Sequence, residues 1–410
     1  MQAITNAFAQ LRDVCLAACP TPRMKVAVVT SFPHDPGRPM GGVEAVSVNL
    51  VRALSEIPEL DVHVVTTDHA GLHAEQNVWL GVTVHRLPHS GKPVLLDAIG
   101  AGRRTVQDFL KQLAPDVIHA HDVYGLMVRD LAIPRVFTIH GFIHADTRLS
   151  GQRMALLRSW LWWRVETAAW ADQPHIISIS PYVRERLTGI AHGVIHDIDN
   201  PIAPECFQIE RREVPGTIFS AAVLTHRKNP LALIEALAQV RRAGIDAKLR
   251  LAGAPVEAAY VANLHRRIQQ LGLQEHITLL GSISSAEVRE ELSRASLFAL
   301  VSFEEGSPMG IEEAMAAGVP VITSNRCGMP YMVRDGVSGY LIDPHDARDI
   351  AGRIIELLGA PELRAAMGEK SREIAHDRFH PSLVARRTRN VYRRACDGSE
   401  AGNAKQGSQD

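Results

Sequence analysis

The chain has 410 residues, enough for two domains that each bury a core of their own. Its 44 Lys and Arg against 45 Asp and Glu leave a formal charge of −1, which excludes a globally basic nucleic-acid binder and a polyanionic disordered chain. No run approaches the ~20 apolar residues of a membrane-spanning helix, and five scattered cysteines fit a reducing, cytoplasmic setting better than a disulfide framework.

Residues 1–23 lack a basic segment followed by an apolar core, so they read as an N-terminal extension ahead of Met24 and not as a signal peptide. Lys25–Phe32 (KVAVVTSF) is a β-branched run suited to a strand buried on both faces. Gly41 and Gly42 follow, then a helix over Val43–Ile57 with Val43, Val46, Leu50, Val51 and Leu54 at helical spacing. Asp61–Thr67, Asp116–His121, Arg135–His140 and His175–Ser180 are further short strands, most of them separated by helical stretches. Such alternation implies βαβ units, hence a parallel sheet with helices on both faces, over residues 24–200.

Four of the five tryptophans fall within Trp160–Trp170, interleaved with Arg158 and Arg164 and preceded by Arg153. Two readings of this 153–170 helix stand side by side. In the first it packs Met154, Leu157, Leu161 and Val165 inward on the N-terminal sheet, which Glu166 and the balanced overall charge favour. In the second it makes a peripheral contact with the inner membrane surface.

Residues 201–216, with Pro201, Pro204 and Pro215, read as a linker. The rhythm then restarts over 217–378, with strands at Gly216–Ala222, Lys248–Gly253, His276–Gly281, Leu297–Val301 and Val319–Thr323. Helices at Pro230–Ala243, Val256–Leu271 and Ser285–Arg294 alternate with them. Residues 379–396 read as a C-terminal helix able to cross back to the first domain, and 397–410 as a disordered tail. The fold class is α/β, with two doubly wound Rossmann-like domains facing each other. Ligands of such sheets bind beyond the strand C-termini, so the active site is expected in the cleft between them.

The chemistry concentrates in Val301–Pro320, VSFEEGSPMGIEEAMAAGVP. This segment leaves a buried strand, passes a Gly-Ser-Pro loop and enters an Ala/Met-rich helix. Glu305 falls in the loop and Glu313 in the first turns of the helix, so both can face one ligand while the intervening N–H groups meet a phosphate. Taken alone, such an acid pair equally describes a capped helix N-terminus. Upstream, Arg227 and Lys228 occupy a strand-to-helix loop. There a Lys can reach a diphosphate as a point charge and an Arg can add a forked contact, although Arg-Lys in a loop is commonly solvated surface.

Together these segments resemble the retaining GT-B glycosyltransferases of family 4, which use nucleotide-sugar donors. The likeness runs from about Met24 to about Arg394. EEGSPMGIEEAMAAGVPVI is similar to the E-x7-E signature, and GMPYMVRDGVSGYLIDPHD to the block after it. KVAVVTSFPH, GGVEAVSVNLVRAL, PDVIHAHD, VFTIHGF and ISISPYVRERL match N-terminal segments. The resemblance implies that Glu305 contacts the donor sugar, Glu313 the ribose and Lys228 the diphosphate. It further implies that Gly306, Ser307, Met309, Gly310 and Ile311 offer backbone N–H groups, that Gly41 and Gly42 let the first loop approach the phosphates, and that His140 lies near the anomeric carbon. Val223 stands where the family has an arginine, with Arg227 as its candidate replacement, and Tyr331 stands where the family has a glutamate.

A UDP- or GDP-sugar donor is therefore expected, with no metal or other cofactor, no nucleic acid, and a saccharide, lipid-linked or small-molecule acceptor. Asp197–Asp199 (DID) reads as turn chemistry at the domain junction, and His119, His121 and Asp122 (HAHD) as a strand end lining the cleft. A GT-B isomerase or phosphorylase and a non-catalytic nucleotide-sugar binder are the competing functions.

Overall fold

The computed structural model describes residues 23–68, 74–149 and 154–406, with side chains as far as residue 398. The extension over 1–22 lies outside the described residues, as does Arg153. The first domain carries β1 (Met24–Val29), β2 (Leu60–Asp68), β3 (Glu75–Trp79), β4 (Val82–Pro88), β5 (Val117–His121), β6 (Arg135–Ile139), β7 (His175–Ser178) and β8 (Val194–Asp197). Its helices are α1 (Gly42–Ser55), α2 (Val94–Ile99), α3 (Ala101–Leu113), α4 (Tyr124–Val128), α5 (Ile143–Leu149), α6 (Ala155–Ala171) and α7 (Pro181–Leu187). The eight strands lie in the order β3-β4-β2-β1-β5-β6-β7-β8, parallel except for the antiparallel β3–β4 pair.

Side chains alternate across β1, and the alternation sorts them into two cores. Val26 and Val28 pack with α1, while Ala27 and Val29 pack with α3, α4, α6 and α7. Burial on both faces requires an apolar residue at every position, which is why the fully buried part of β1, Val26–Val29, is an unbroken hydrophobic run.

The second domain holds β9 (Thr217–Ala221), β10 (Lys248–Ala252), β11 (Ile277–Gly281), β12 (Leu297–Leu300), β13 (Val321–Ser324) and β14 (Gly339–Ile342). Around them lie α8 (Pro230–Arg242), α9 (Ala258–Gln270), α10 (Ser285–Arg294), α11 (Met309–Ala316), α12 (Ala347–Gly359) and α13 (Pro361–Phe379). The six-stranded sheet, β11-β10-β9-β12-β13-β14, is parallel throughout. Ile218 on one face joins α8, α9 and α12, and Phe219 on the other joins α11 and α13.

Helix α14 (Pro381–Gln406) returns to the first domain, where Val384, Val391 and Tyr392 pack on Val26, Val28 and Val117. It runs past residue 396 and continues through 397–406, where composition reads as a disordered tail; 407–410 lie outside the described residues. No proline interrupts that stretch, and propagating a helix already anchored by packing adds one hydrogen bond per residue. At the junction, Asp199 pairs with Arg378 at 2.5 Å and Asp197 with Arg184 at 2.8 Å, so DID anchors the hinge.

The strand order reverses between β1 and β5 in one sheet and between β9 and β12 in the other. Crevices open at such switch points. Both face a single cleft of about 680 Å³.

Helix α6 departs from the favoured packing. Met154, Leu157 and Leu161 are exposed, whereas Ser159, Glu166, Ala169 and Trp170 are buried. Polar anchors decide this. The Glu166 carboxylate accepts the N–H of Ile143 at 2.8 Å and of His144 at 3.0 Å, at the start of α5, and meets His144 Nδ1 at 2.7 Å. Ser159 Oγ donates to the His144 carbonyl at 2.7 Å.

Candidate functional site

The cleft is lined by loops that follow strand C-termini. Gly41 and Gly42 form its wall at the start of α1, and a Cβ at either position would meet no protein atom within 4 Å. His121, Asp122 and His140 stand at the ends of β5 and β6, while Arg227, Lys228, Glu305, Gly306, Ser307, Met309, Gly310 and Glu313 form the opposite wall. Ile311 does not belong with them. Its side chain is fully buried in the core, and its N–H, although in the first turn of the helix that starts at Met309, is taken up by an i→i−3 bond to the Pro308 carbonyl at 3.0 Å.

Charge gathers on the C-terminal wall. Lys228 Nζ pairs with Glu305 Oε1, and Arg227 Nη1 lies 3.2 Å from the same oxygen. Arg227 also donates to the Glu304 carbonyl at 2.7 Å and reaches across the cleft to Asp146 of α5, 3.3 Å away. Burial works against the Glu305 charge, yet Lys228 and then Arg227 outweigh it and hold its carboxyl below the usual range. Burial lowers the Lys228 ammonium and the Glu305 charge only partly offsets it; for Arg227 the surrounding acids prevail and the guanidinium is raised. Two cations, paired with groups of either domain, thus stand where the β9–α8 loop meets the β12–α11 loop. Val223 lines the same cleft but carries no charge, so Arg227 is the second cation of this wall.

Glu313, on α11, differs from Glu305. Burial pushes its carboxyl up to about 7, with Arg289 pulling the other way. Its neighbour Glu312 is fully buried and raised well above the usual range by burial, accepting from Ser307 Oγ at 2.6 Å. Adjacent glutamates on one helix face different surroundings, one a cleft and one a core. At the N-terminal end of α11, Gly306, Ser307, Met309 and Gly310 have no backbone acceptor among the described residues, and Pro308 has no N–H to offer.

Neutral imidazoles characterise the N-terminal wall. Burial lowers His140 to about 4, against an opposing pull from Asn200, and lowers His119 to about 3. Burial also drives His121 well down. His140 Nε2 lies 3.1 Å from His121 Nδ1, and the buried His121 Nε2 has no partner among the described residues. His140 Nδ1 is likewise buried without a hydrogen-bond partner among the described residues, so whichever ring donates in this pair, one ring N–H is left without a protein acceptor. Asp122, at a φ of 44°, accepts the His140 N–H at 2.8 Å and thereby sets the end of β6. Behind them, His119 bonds Tyr392 of α14 and Thr138, both at 2.7 Å. Among the described residues no group of three His, Cys, Asp or Glu side chains is arranged to hold a metal ion.

Several contacts close the cleft that sequence spacing does not reveal. Ser180, which caps α7, donates to the Gly306 carbonyl at 2.8 Å. Tyr182 donates to Glu304 at 3.1 Å and Tyr331 to Glu185 at 2.8 Å. Gly328 is required where it stands: a Cβ there would lie 1.8 Å from the Gly306 carbonyl oxygen. Asp146 and Asn200 carry no local motif, and Tyr182 lies in the ISISPYVRERL segment without a spacing that marks it, so only the fold identifies their place at the cleft.

Comparison with known proteins follows the same division. Residues 40–205 match the family model for Glycosyltransferase Family 4, and residues 204–374 that for Glycosyl transferases group 1. The chain is 26% identical over 371 residues to an uncharacterized glycosyltransferase of Methanocaldococcus jannaschii, covering 87% of this chain and 96% of that protein. It is 31% identical over 180 residues to a putative colanic acid biosynthesis glycosyltransferase of Escherichia coli, spanning 42% of this chain and 43% of that one. In structure it is similar to sucrose-phosphate synthase from Thermosynechococcus elongatus (TM-score 0.77, 19% identity, 91% of this chain and 99% of that). It is also similar to Anabaena HepE, solved with UDP-glucose (TM-score 0.68, 19% identity, 90% and 99%). The two family models together span residues 40–374, and the chain is a family 4-like glycosyltransferase built on the GT-B fold.

Proposed function

We propose that the chain moves a sugar from a UDP- or GDP-sugar to an acceptor hydroxyl with retention of anomeric configuration. One observation carries this reading: Arg227, Lys228, Glu305 and Glu313 share one wall of a cleft at a topological switch point with N–H groups at the start of α11 that have no backbone acceptor among the described residues. HepE was solved with UDP-glucose, and a Mycolicibacterium smegmatis relative, 32% identical over 163 residues, is named as GDP-mannose-dependent. Both lend support to a nucleotide-linked donor.

In the proposed reaction the bond between the anomeric carbon and the diphosphate oxygen breaks, and its electron pair leaves with the diphosphate. Lys228, Arg227 and the α11 N–H groups would stabilise the charge that develops there, with little reorganisation. Glu313 would hold ribose hydroxyls and Glu305 sugar hydroxyls. The acceptor oxygen attacks the anomeric carbon from the same face, its proton passing to the leaving phosphate. His140, neutral at physiological pH, would contribute hydrogen bonding and no charge. The acceptor would enter beside Asp35, Arg38 and Glu44, in a pocket of about 470 Å³ on the N-terminal side that shares Ser31 and Met40 with the cleft.

The test supplies purified protein with UDP- and GDP-sugars and candidate saccharide acceptors, following nucleoside diphosphate release and the product's anomeric configuration by NMR. Acceptor-dependent release with retention is the expected result. Inversion, or release independent of acceptor, contradicts it; tight donor binding without turnover returns the non-catalytic reading.

A further inference from the structure

The hydrophobic face of α6 is turned outward. Leu156 is 72% exposed, Trp160 52% and Trp163 44%, with Leu157 and Leu161 beside them, while the polar anchors Ser159 and Glu166 face the protein. Contiguous apolar patches of this kind mark interaction sites on soluble proteins. Tryptophan in particular suits a boundary between water and hydrocarbon, because its ring is apolar and its N–H is polar.

Charge selects the partner. Arg158 and Arg164 are both exposed, and Arg164 lies on the tryptophan face, 5.8 Å from the centroid of the Trp160 ring. The only acid of the helix, Glu166, is buried against His144. The outer face is therefore apolar and cationic in a chain whose formal charge is −1. A second copy docking isologously would bring two copies of one cationic face together, which like-charge repulsion disfavours. A surface of anionic headgroups over hydrocarbon matches both properties at once. Among the described residues no helix is long and apolar enough to cross a membrane, so contact would be at the interface.

We propose that the N-terminal domain docks on an anionic bilayer surface through the outward Leu/Trp/Arg face of α6. Since α6 packs on α5, whose Asp146 lines the cleft, docking sets this wall of the cleft beside the lipid. The docking itself does not depend on the donor assignment, and its test reads no catalysis.

The full chain is floated with vesicles of phosphatidylcholine containing phosphatidylglycerol, and with phosphatidylcholine alone. Wild type is expected to float with the anionic vesicles and to show a blue shift of tryptophan emission. The double variant Leu156→Glu/Trp160→Glu should partition at least about tenfold more weakly. Arg158→Ala/Arg164→Ala should lose the anionic preference, as should wild type in high salt. All four positions are exposed, so circular dichroism and Tm should match wild type. Absence of flotation, or equal binding to neutral vesicles, overturns the proposal. So does concentration-dependent dimerisation by sedimentation that Leu156→Glu/Trp160→Glu abolishes while vesicles bind no protein.

Discussion

On the N-terminal wall, His119, His121 and His140 are kept neutral by burial, whereas the C-terminal wall keeps Arg227 and Lys228 beside Glu305. Each wall sits at the C-terminal edge of a parallel sheet, so fold alone does not separate them. What separates them is pairing. A buried imidazole with no acid beside it sheds its proton, while a buried Lys with a carboxylate in contact has an opposite charge to offset desolvation. The C-terminal wall is thus equipped for a charged ligand, and the N-terminal wall for orienting neutral groups.

Lys228→Ala should cost the most: kcat is expected to fall by about 10²–10³, the usual loss for one donor to a developing anion. His140→Ala should lower kcat by about tenfold while leaving the Kd for nucleoside diphosphate nearly unchanged, since a neutral hydrogen bond contributes about 1 kcal/mol. A large change in that Kd would break the distinction between walls.

Glu313→Gln should raise the donor KM by about tenfold, because the carboxylate accepts hydroxyl hydrogen bonds more strongly than an amide. The same variant has a pH signature. With a folded pKa of about 7 against an ordinary 4.5, the native state holds this proton longer than the unfolded chain does. Stability from that group is full below about pH 4.5 and is lost as pH rises through 7. Glu313→Gln should therefore stabilise the ligand-free protein at pH 8, by something on the order of 1 kcal/mol, and have little effect at pH 4. His140 has the opposite sign: its folded pKa of about 4 lies below the ordinary 6.5, so stability is lost as pH falls between them.

Asp146→Asn should tighten nucleoside diphosphate binding about two- to fivefold, since it removes the carboxylate that occupies Arg227 in the ligand-free cleft. Tyr331→Phe should be smallest, within about 0.5 kcal/mol by thermal denaturation, because its bond to Glu185 is solvent-exposed.

Much of this was legible in the sequence. Strands buried on both faces announce themselves as apolar, β-branched runs, as Val26–Val29 of β1 do. Strands β3, β8 and β14 do not: β3 is polar and exposed, and β8 and β14 are four-residue edge strands. Glu305, Glu313 and Lys228 could be named from spacing because the strand-to-loop-to-helix geometry is local. Asp146 could not, since it meets Arg227 only when two domains close. Helix α6 shows the limit of hydrophobic periodicity: three bonds to Glu166 outweighed the apolar stripe in choosing which face turns inward.

The most direct measurement is calorimetric titration of UDP, GDP and their unphosphorylated nucleosides into wild type and Arg227→Ala/Lys228→Ala. One diphosphate should bind wild type with an affinity that weakens as salt rises, and at least about tenfold more weakly to the double variant, while the nucleosides barely distinguish the proteins. Equal diphosphate affinity in both proteins would contradict a C-terminal wall built around these cations.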